Sequence, residues 1–155
     1  NKAMRLFLFS VALFVTGITT PSFAQTVEGA IGSGKVARGA TVTGNITLNI
    51  PPALHVNSNQ PRSRYAIPTT ITLSSSEVTF SPVRYPGGQN KKFSFSNDLI
   101  NVYEGKVVFR FSVKTPSNFK GSRISIKALV RYQACNDEVC FPPKRKELVM
   151  YADVR

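Results

Sequence analysis

Beyond about residue 40 the chain alternates apolar and polar side chains with a period of two. Val42, Ile46, Leu48 and Ile50 are interleaved with Thr43, Asn45, Thr47 and Asn49. Val107, Phe109, Phe111 and Val113 are interleaved with Val108, Arg110, Ser112 and Lys114, and Ile124, Ile126, Ala128, Val130 and Tyr132 with a mostly polar set. Side chains on a strand point alternately to opposite faces, so this pattern predicts half-buried strands of antiparallel sheets. No stretch keeps apolar residues at helical spacing for three turns. Shorter strands are predicted over residues 67–73, 78–84 and 148–151, separated by Pro51-Pro52, Pro61, Pro86-Gly87-Gly88 and Pro116-Ser117-Asn118. Six or seven short strands with turn signals between them predict an all-β, immunoglobulin-like antiparallel β-sandwich. Residues 86–98 break the pattern, with two glycines, two lysines, and Phe93 and Phe95 among serines and asparagines. A connection this long inside a compact domain is usually functional or disordered.

The first residues have a different character. Lys2 and Arg5 precede an almost continuously apolar run over residues 6–15, and Ser22-Phe23-Ala24 places small residues at the two positions a signal peptidase reads. Residues 1–24 are therefore expected to be a secretory signal cleaved after Ala24. A membrane anchor needs about 20 apolar residues, and this run is interrupted at Thr16-Gly17 and Thr19-Thr20-Pro21. No cysteine follows the cleavage site to carry a lipid. The product is expected to be a soluble protein in an oxidising compartment, where a disulfide can form and persist.

Residues 25–155 are long enough for one domain with a real core. Without Lys2 and Arg5 the domain carries 18 basic against 8 acidic residues. That balance suits anionic surfaces, but in a secreted domain it is read as a solvated basic surface, and no nucleic-acid partner is expected. Gly29-Ala-Ile-Gly-Ser-Gly-Lys35 imitates a phosphate-binding loop, yet Val36 stands where a magnesium-binding Ser or Thr is required. His55 is the only histidine, which leaves a catalytic triad or a metal site short of its usual groups, so it is read as structural or surface. Asn45-Ile46-Thr47 is a glycosylation sequon with meaning only in a host that glycosylates.

Cys135 and Cys140 are the only cysteines. A cross-link over so few residues stabilises by only about 2 kcal/mol in the chain-entropy model, so a purpose other than stability is implied. The strand ending at Tyr132-Gln133 and the one restarting near Lys144 should pair as a hairpin, with Asn136-Asp137-Glu138-Val139 as the turn. Opposed residues in such a pair lie about 4.5–5.5 Å apart at Cα, which overlaps the disulfide range of about 4.4–6.8 Å. Pro142 and Pro143 cannot donate ladder hydrogen bonds, so both sulfurs are expected near an accessible edge.

Tyr132-Gln-Ala-Cys-Asn-Asp-Glu-Val-Cys-Phe-Pro-Pro143, with Leu54-His-Val-Asn-Ser-Asn59, Tyr65-Ala-Ile-Pro-Thr69 and Val102-Tyr-Glu-Gly105, resembles the amino-terminal periplasmic domain of DsbD-type thiol:disulfide interchange proteins, especially its stand-alone relatives. The resemblance spans roughly residues 35–152. It implies a periplasmic electron-transfer domain, a protein-disulfide reductase component associated with cytochrome c biogenesis. Such a domain takes electrons from a membrane-embedded thiol reductase and passes them to thioredoxin-fold proteins. By that resemblance Cys135 and Cys140 are the redox pair, and an aromatic cap loop opens when a partner docks. Residues 86–98 fall where that loop should be, which makes Phe95, or failing it Phe93, the candidate lid. No cofactor, metal or small-molecule substrate is implied, and a monomer is expected. The turn is slightly shorter than in the best-studied members, and Lys91, Lys92 and serines replace acidic cap residues. The sequence to Arg155 holds neither a transmembrane module nor a second thioredoxin-like domain, so such a domain is expected to meet its reductant by diffusion.

Asp137 and Glu138 lie in the turn, where carboxylates disfavour a thiolate and raise its pKa. Lys144 and Arg145 offset that field in part. The reduced pair is thus expected to react slowly until a partner docks. Two other classes compete: a secreted binding module whose hairpin disulfide is only structural, and a copper or other metal handler. The latter usually adds Met or His ligands, and past the signal only Met150 and His55 are available.

Overall fold

The computed structural model describes residues 24–155, so all but the last residue of the expected signal sequence lies outside it. Among the described residues there are twelve strands and no helix: β1 (Thr26–Ile31), β2 (Lys35–Val36), β3 (Thr41–Asn49), β4 (His55–Asn57), β5 (Thr70–Ser74), β6 (Thr79–Phe80), β7 (Gln89–Lys92), β8 (Leu99–Tyr103), β9 (Lys106–Lys114), β10 (Arg123–Tyr132), β11 (Ala134–Cys135) and β12 (Lys144–Val154). They form an immunoglobulin-like β-sandwich.

One main sheet has the order β1-β3-β9-β6 and the other β2-β12-β10-β5. Their inward rows are those the alternation marks. Ile46, Leu48, Phe109 and Val113 from the first sheet are fully buried, as are Ile124, Ile126, Ala128, Val130 and Tyr132 from the second. Each Val, Leu, Ile or Phe among them gains about 1.5–3 kcal/mol by leaving water, which fixes the register of the long strands, because a slip of one residue would turn the whole row outward. The layers meet closely at Gly29, where a Cβ would lie 2.7 Å from Met150 Sδ and 2.8 Å from the Asn45 carbonyl.

The six predicted strands are present with shifted ends. Residues 67–73 start later, at Thr70, and residues 78–84 shrink to Thr79–Phe80 plus a bridge between Arg84 and Arg110. Residues 148–151 are the middle of an eleven-residue strand, β12. The phosphate-loop mimic is the end of β1 followed by a turn, in which Gly32 and Gly34 take positive φ.

A third, smaller sheet, ordered β11-β4-β8-β7, was not expected from the sequence. The strand β10 ends at Tyr132, paired with Lys144, and after Gln133 the chain changes sheets. Ala134 and Cys135 then pair with Val56 and His55 of β4. Residues 86–98 are likewise more regular than predicted. Gln89–Lys92 form β7, antiparallel to β8, which leaves residues 86–88 and 93–98 outside strands. Gly88 permits this, since a Cβ there would lie 2.8 Å from the Val102 carbonyl. Tyr103 Oη anchors the base of the hairpin, donating to Asn59 Oδ1 (2.8 Å) or the Pro86 carbonyl (3.0 Å).

Candidate redox site

The tip of the β7–β8 hairpin and the segment between β11 and β12 meet at one end of the sandwich. There Cys135 and Cys140 form a disulfide, with S–S 2.06 Å and Cα–Cα 4.0 Å. The Cα atoms are closer than an ordinary antiparallel pair, and the two cysteines are joined by an isolated antiparallel bridge rather than by a continuous ladder. The turn is built by Asn136. Its N–H donates to the Val139 carbonyl (2.9 Å), while its Oδ1 accepts from the N–H groups of Glu138 (2.9 Å) and Val139 (2.7 Å). An asparagine bonding to backbone two and three residues on is a usual way to set such a turn. Past the bridge, the Phe141 N–H donates to the Ala134 carbonyl (2.9 Å), and the exposed Pro142 and Pro143 return the chain to β12.

The two sulfur-bearing residues are not equivalent. Cys135 is 0% exposed, held between β4 and the returning arm, whereas Cys140 is exposed. The expectation of two accessible sulfurs is corrected to one, because pairing with β4 turns Cys135 into the interior. Sequence alternation gives no sign of that pairing.

Cys140 lines a cleft of about 340 Å³ with Tyr65, Phe95, Asp98, Ile100 and Gln133 among its walls. Gln133 ties the floor together. Its Oε1 accepts from Asn57 Nδ2 (2.9 Å) and the Ile67 N–H (3.2 Å), and its Nε2 donates to the Phe141 carbonyl (3.3 Å). Tyr65 is 78% exposed, Phe95 39%, and the chain neighbours of Cys140, Val139 and Phe141, are 51% and 39% exposed. Large apolar groups left in water around a reactive atom mark an interaction site.

The aromatic residues of the hairpin tip have different places. Phe93 is buried and stacks on the imidazole of His55, with centroids 4.2 Å apart and planes at 16°. Phe95 stacks on the outer side of that pair, 5.2 Å from Phe93 and inclined by 7°. Phe93 is thus a support, and Phe95 is the aromatic residue that reaches the Cys140 cleft. Ser94 Oγ donates to the Asp137 carbonyl (3.2 Å), which connects the hairpin tip to the turn between the cysteines. Asp137 and Glu138 border a groove with Lys91, Lys92, Phe93 and Ser94. Lys91 pairs with Glu104, and Lys92 donates to the Asn97 carbonyl.

His55, which the sequence marks as structural or surface, lies inside this assembly. Its backbone pairs with Cys135, the residue is 2% exposed, and its Nε2 has no hydrogen-bond partner among the described residues. Burial holds its pKa below the ordinary value. The Glu104 and Asp137 carboxylates pull it back up, and Lys91 opposes them. Only the long-range register that sets His55 opposite Cys135 could have revealed this.

Residues 28–151 match the family model described as thiol:disulfide interchange protein DsbD, N-terminal. The chain belongs to the DsbD N-terminal family. Among solved structures, the N-terminal periplasmic domain of ScsB from Proteus mirabilis is 13% identical, with a TM-score of 0.53. The alignment covers 81% of this chain but only 44% of that one. The complex between the DsbD N-terminal and PilB N-terminal domains from Neisseria meningitidis is 16% identical with a TM-score of 0.53, over 86% of this chain and 87% of that one. At such identities these structures speak for the fold. No curated protein matches the sequence. What joins the chain to DsbD chemistry is the family match together with its own Cys135–Cys140 disulfide, and these support thiol:disulfide interchange.

Proposed function

We propose that this DsbD N-terminal-family domain relays reducing equivalents in the periplasm, taking electrons from a membrane-embedded thiol reductase and giving them to thioredoxin-fold proteins. The observation that carries the reading is the asymmetry of the disulfide: Cys140 exposed beside an apolar-rimmed cleft, Cys135 fully buried behind it. Exchange requires a thiolate to approach one sulfur in line while the other leaves. The reductant thiolate attacks Cys140 Sγ, the S–S bond breaks, and Cys135 departs as thiolate. A second thiol of the reductant then releases Cys140 and leaves a dithiol. In the following half-cycle Cys140 attacks the disulfide of an acceptor, and Cys135 displaces the acceptor in reduced form. Phe95 is the lid that a docking partner moves, and Asp137 and Glu138 keep the resting thiols protonated.

The Neisseria meningitidis complex, in which a DsbD N-terminal domain binds another protein's domain, supports partner docking here. Gln25 supports a folded domain that begins directly after Ala24, being 3% exposed with its Oε1 3.5 Å from Tyr132 Oη. The test is covalent trapping in periplasm. Cys135→Ser, which leaves Cys140 free to attack, should accumulate a mixed disulfide with a thioredoxin-fold protein, and Cys140→Ser should not. Absence of any such adduct from both variants overturns the relay.

A further inference from the structure

His55, Cys135 and Cys140 fall in one cross-strand row. Cys135 pairs with His55 of β4 on one side and with Cys140 on the other. Directly opposed residues of antiparallel strands project to the same face with Cβ atoms about 4.5–5.5 Å apart. His55 and Cys135 are therefore cross-strand neighbours on one face, with Cys140 on the far side of Cys135. Phe93 fixes the ring plane by stacking on it, and His55 is 2% exposed. Among the described residues its Nε2 has no hydrogen-bond partner. A buried imidazole nitrogen without a partner is costly, about 1–3 kcal/mol for a group left unsatisfied. Such a group in a native fold calls for a reason.

We propose that His55 is the proton acceptor for the Cys135 thiol when that thiol resolves a mixed disulfide. The inference rests on the exchange reading above. In the Nδ1–H tautomer the bare Nε2 is an acceptor, and a reduced Cys135 is the S–H donor beside it. When Cys140 holds an acceptor protein R as Cys140–S–S–R, Cys135 attacks Cys140 Sγ. A Cys135–Cys140 bond forms, the bond to R breaks, and R leaves as a thiolate carrying the electron pair. The Cys135 proton passes to Nε2, the domain's dithiol is oxidised to its disulfide, and the disulfide shared with R is reduced. The imidazolium so formed is faced by the carboxylates of Glu104 and Asp137, which favour it, and by Lys91, which disfavours it but is paired with Glu104. Burial keeps the ring neutral, and thus able to accept, in the resting state. The arrangement also explains how a buried thiol flanked by Asp137 and Glu138 can act as a nucleophile without a permanently lowered pKa.

The experiment mixes the reduced full-length domain with excess 5,5′-dithiobis(2-nitrobenzoate) in a stopped-flow instrument. Attack by Cys140 releases one thionitrobenzoate, and resolution by Cys135 releases a second. Cys135→Ser assigns the first phase. His55→Phe keeps a ring to stack on Phe93 and removes the titratable nitrogen, while Phe93→Leu disturbs the stack and keeps the nitrogen. We expect His55→Phe to leave the first phase unchanged and to slow the second at least about tenfold at pH 7, where a thiol of pKa about 8.5 is only a few per cent ionised. The second-phase rate of that variant should then climb tenfold per pH unit towards the wild-type value, whereas wild type and Phe93→Leu stay nearly flat from pH 7 to 8. Equal second-phase profiles in His55→Phe and wild type overturn the inference and leave the exchange reading intact. Equal slowing in both variants without a change of pH dependence also overturns it, since that is packing. A wild-type protein that releases no thionitrobenzoate overturns the exchange reading and this inference with it.

Discussion

Ser94 and Asp137 are joined across the site by a side-chain-to-carbonyl hydrogen bond of 3.2 Å, the donor on the hairpin tip and the acceptor within the turn that links the two cysteines. The bond is exposed, and such bonds add about 0.5–1.5 kcal/mol. Ser94→Ala should therefore leave the urea midpoint almost unmoved while raising the rate of disulfide reduction by dithiothreitol about two- to tenfold. An unchanged rate would show that the hairpin tip does not restrict access to Cys140.

The two stacked phenylalanines should separate stability from access. Phe93 is buried in a small cluster with Ile100 and Val102, and large-to-small changes at buried phenylalanine cost about 3–5 kcal/mol in a main core. At this satellite site Phe93→Ala is expected to cost about 2–3 kcal/mol, read by urea denaturation. Phe95→Ala, at a residue 39% exposed, should cost less than about 1 kcal/mol and should speed alkylation of Cys140 in the reduced protein.

Stability should fall on mild acidification through His55. Its folded-state pKa lies below the ordinary 6.5 of a free imidazole because burial disfavours the charged ring. The unfolded chain consequently binds the proton first, so the stabilisation is complete above about pH 6.5 and declines as pH drops from there towards the lowered folded value. Urea midpoints at pH 7.5 and 5.5 should differ in wild type, and His55→Phe should reduce that difference.

The disulfide should matter far more to chemistry than to folding. Replacing both Cys135 and Cys140 by alanine is expected to cost about 2 kcal/mol, given a closed loop of only a few residues, and to abolish exchange. Thiol trapping across glutathione buffers should place the potential above about −300 mV. A much lower value would favour a structural bond in a secreted binding module.

The sequence carries the sandwich through its long strands because each buries a continuous row: the run from Ile124 to Tyr132 alternates in burial over its whole length. The third sheet is illegible for the opposite reason. Gln89–Lys92 is a strand with no apolar residue, held by pairing to β8 rather than by burial, and His55–Asn57 is buried at every position. The cysteines and the aromatic hairpin tip stand out by residue type and by family resemblance. The burial of Cys135 and the place of His55 depend on a pairing between segments about 80 residues apart, which local patterning does not encode.

The short span between the cysteines bears on the direction of flow. Breaking a cross-link that closes so small a loop releases little chain entropy, while β4 continues to hold the Cys135 strand. Folding thus puts little weight on either oxidation state, and the balance is left to the thiols of whichever protein docks. On the relay reading proposed above, a couple of this kind would run in both directions with small changes in partner concentration.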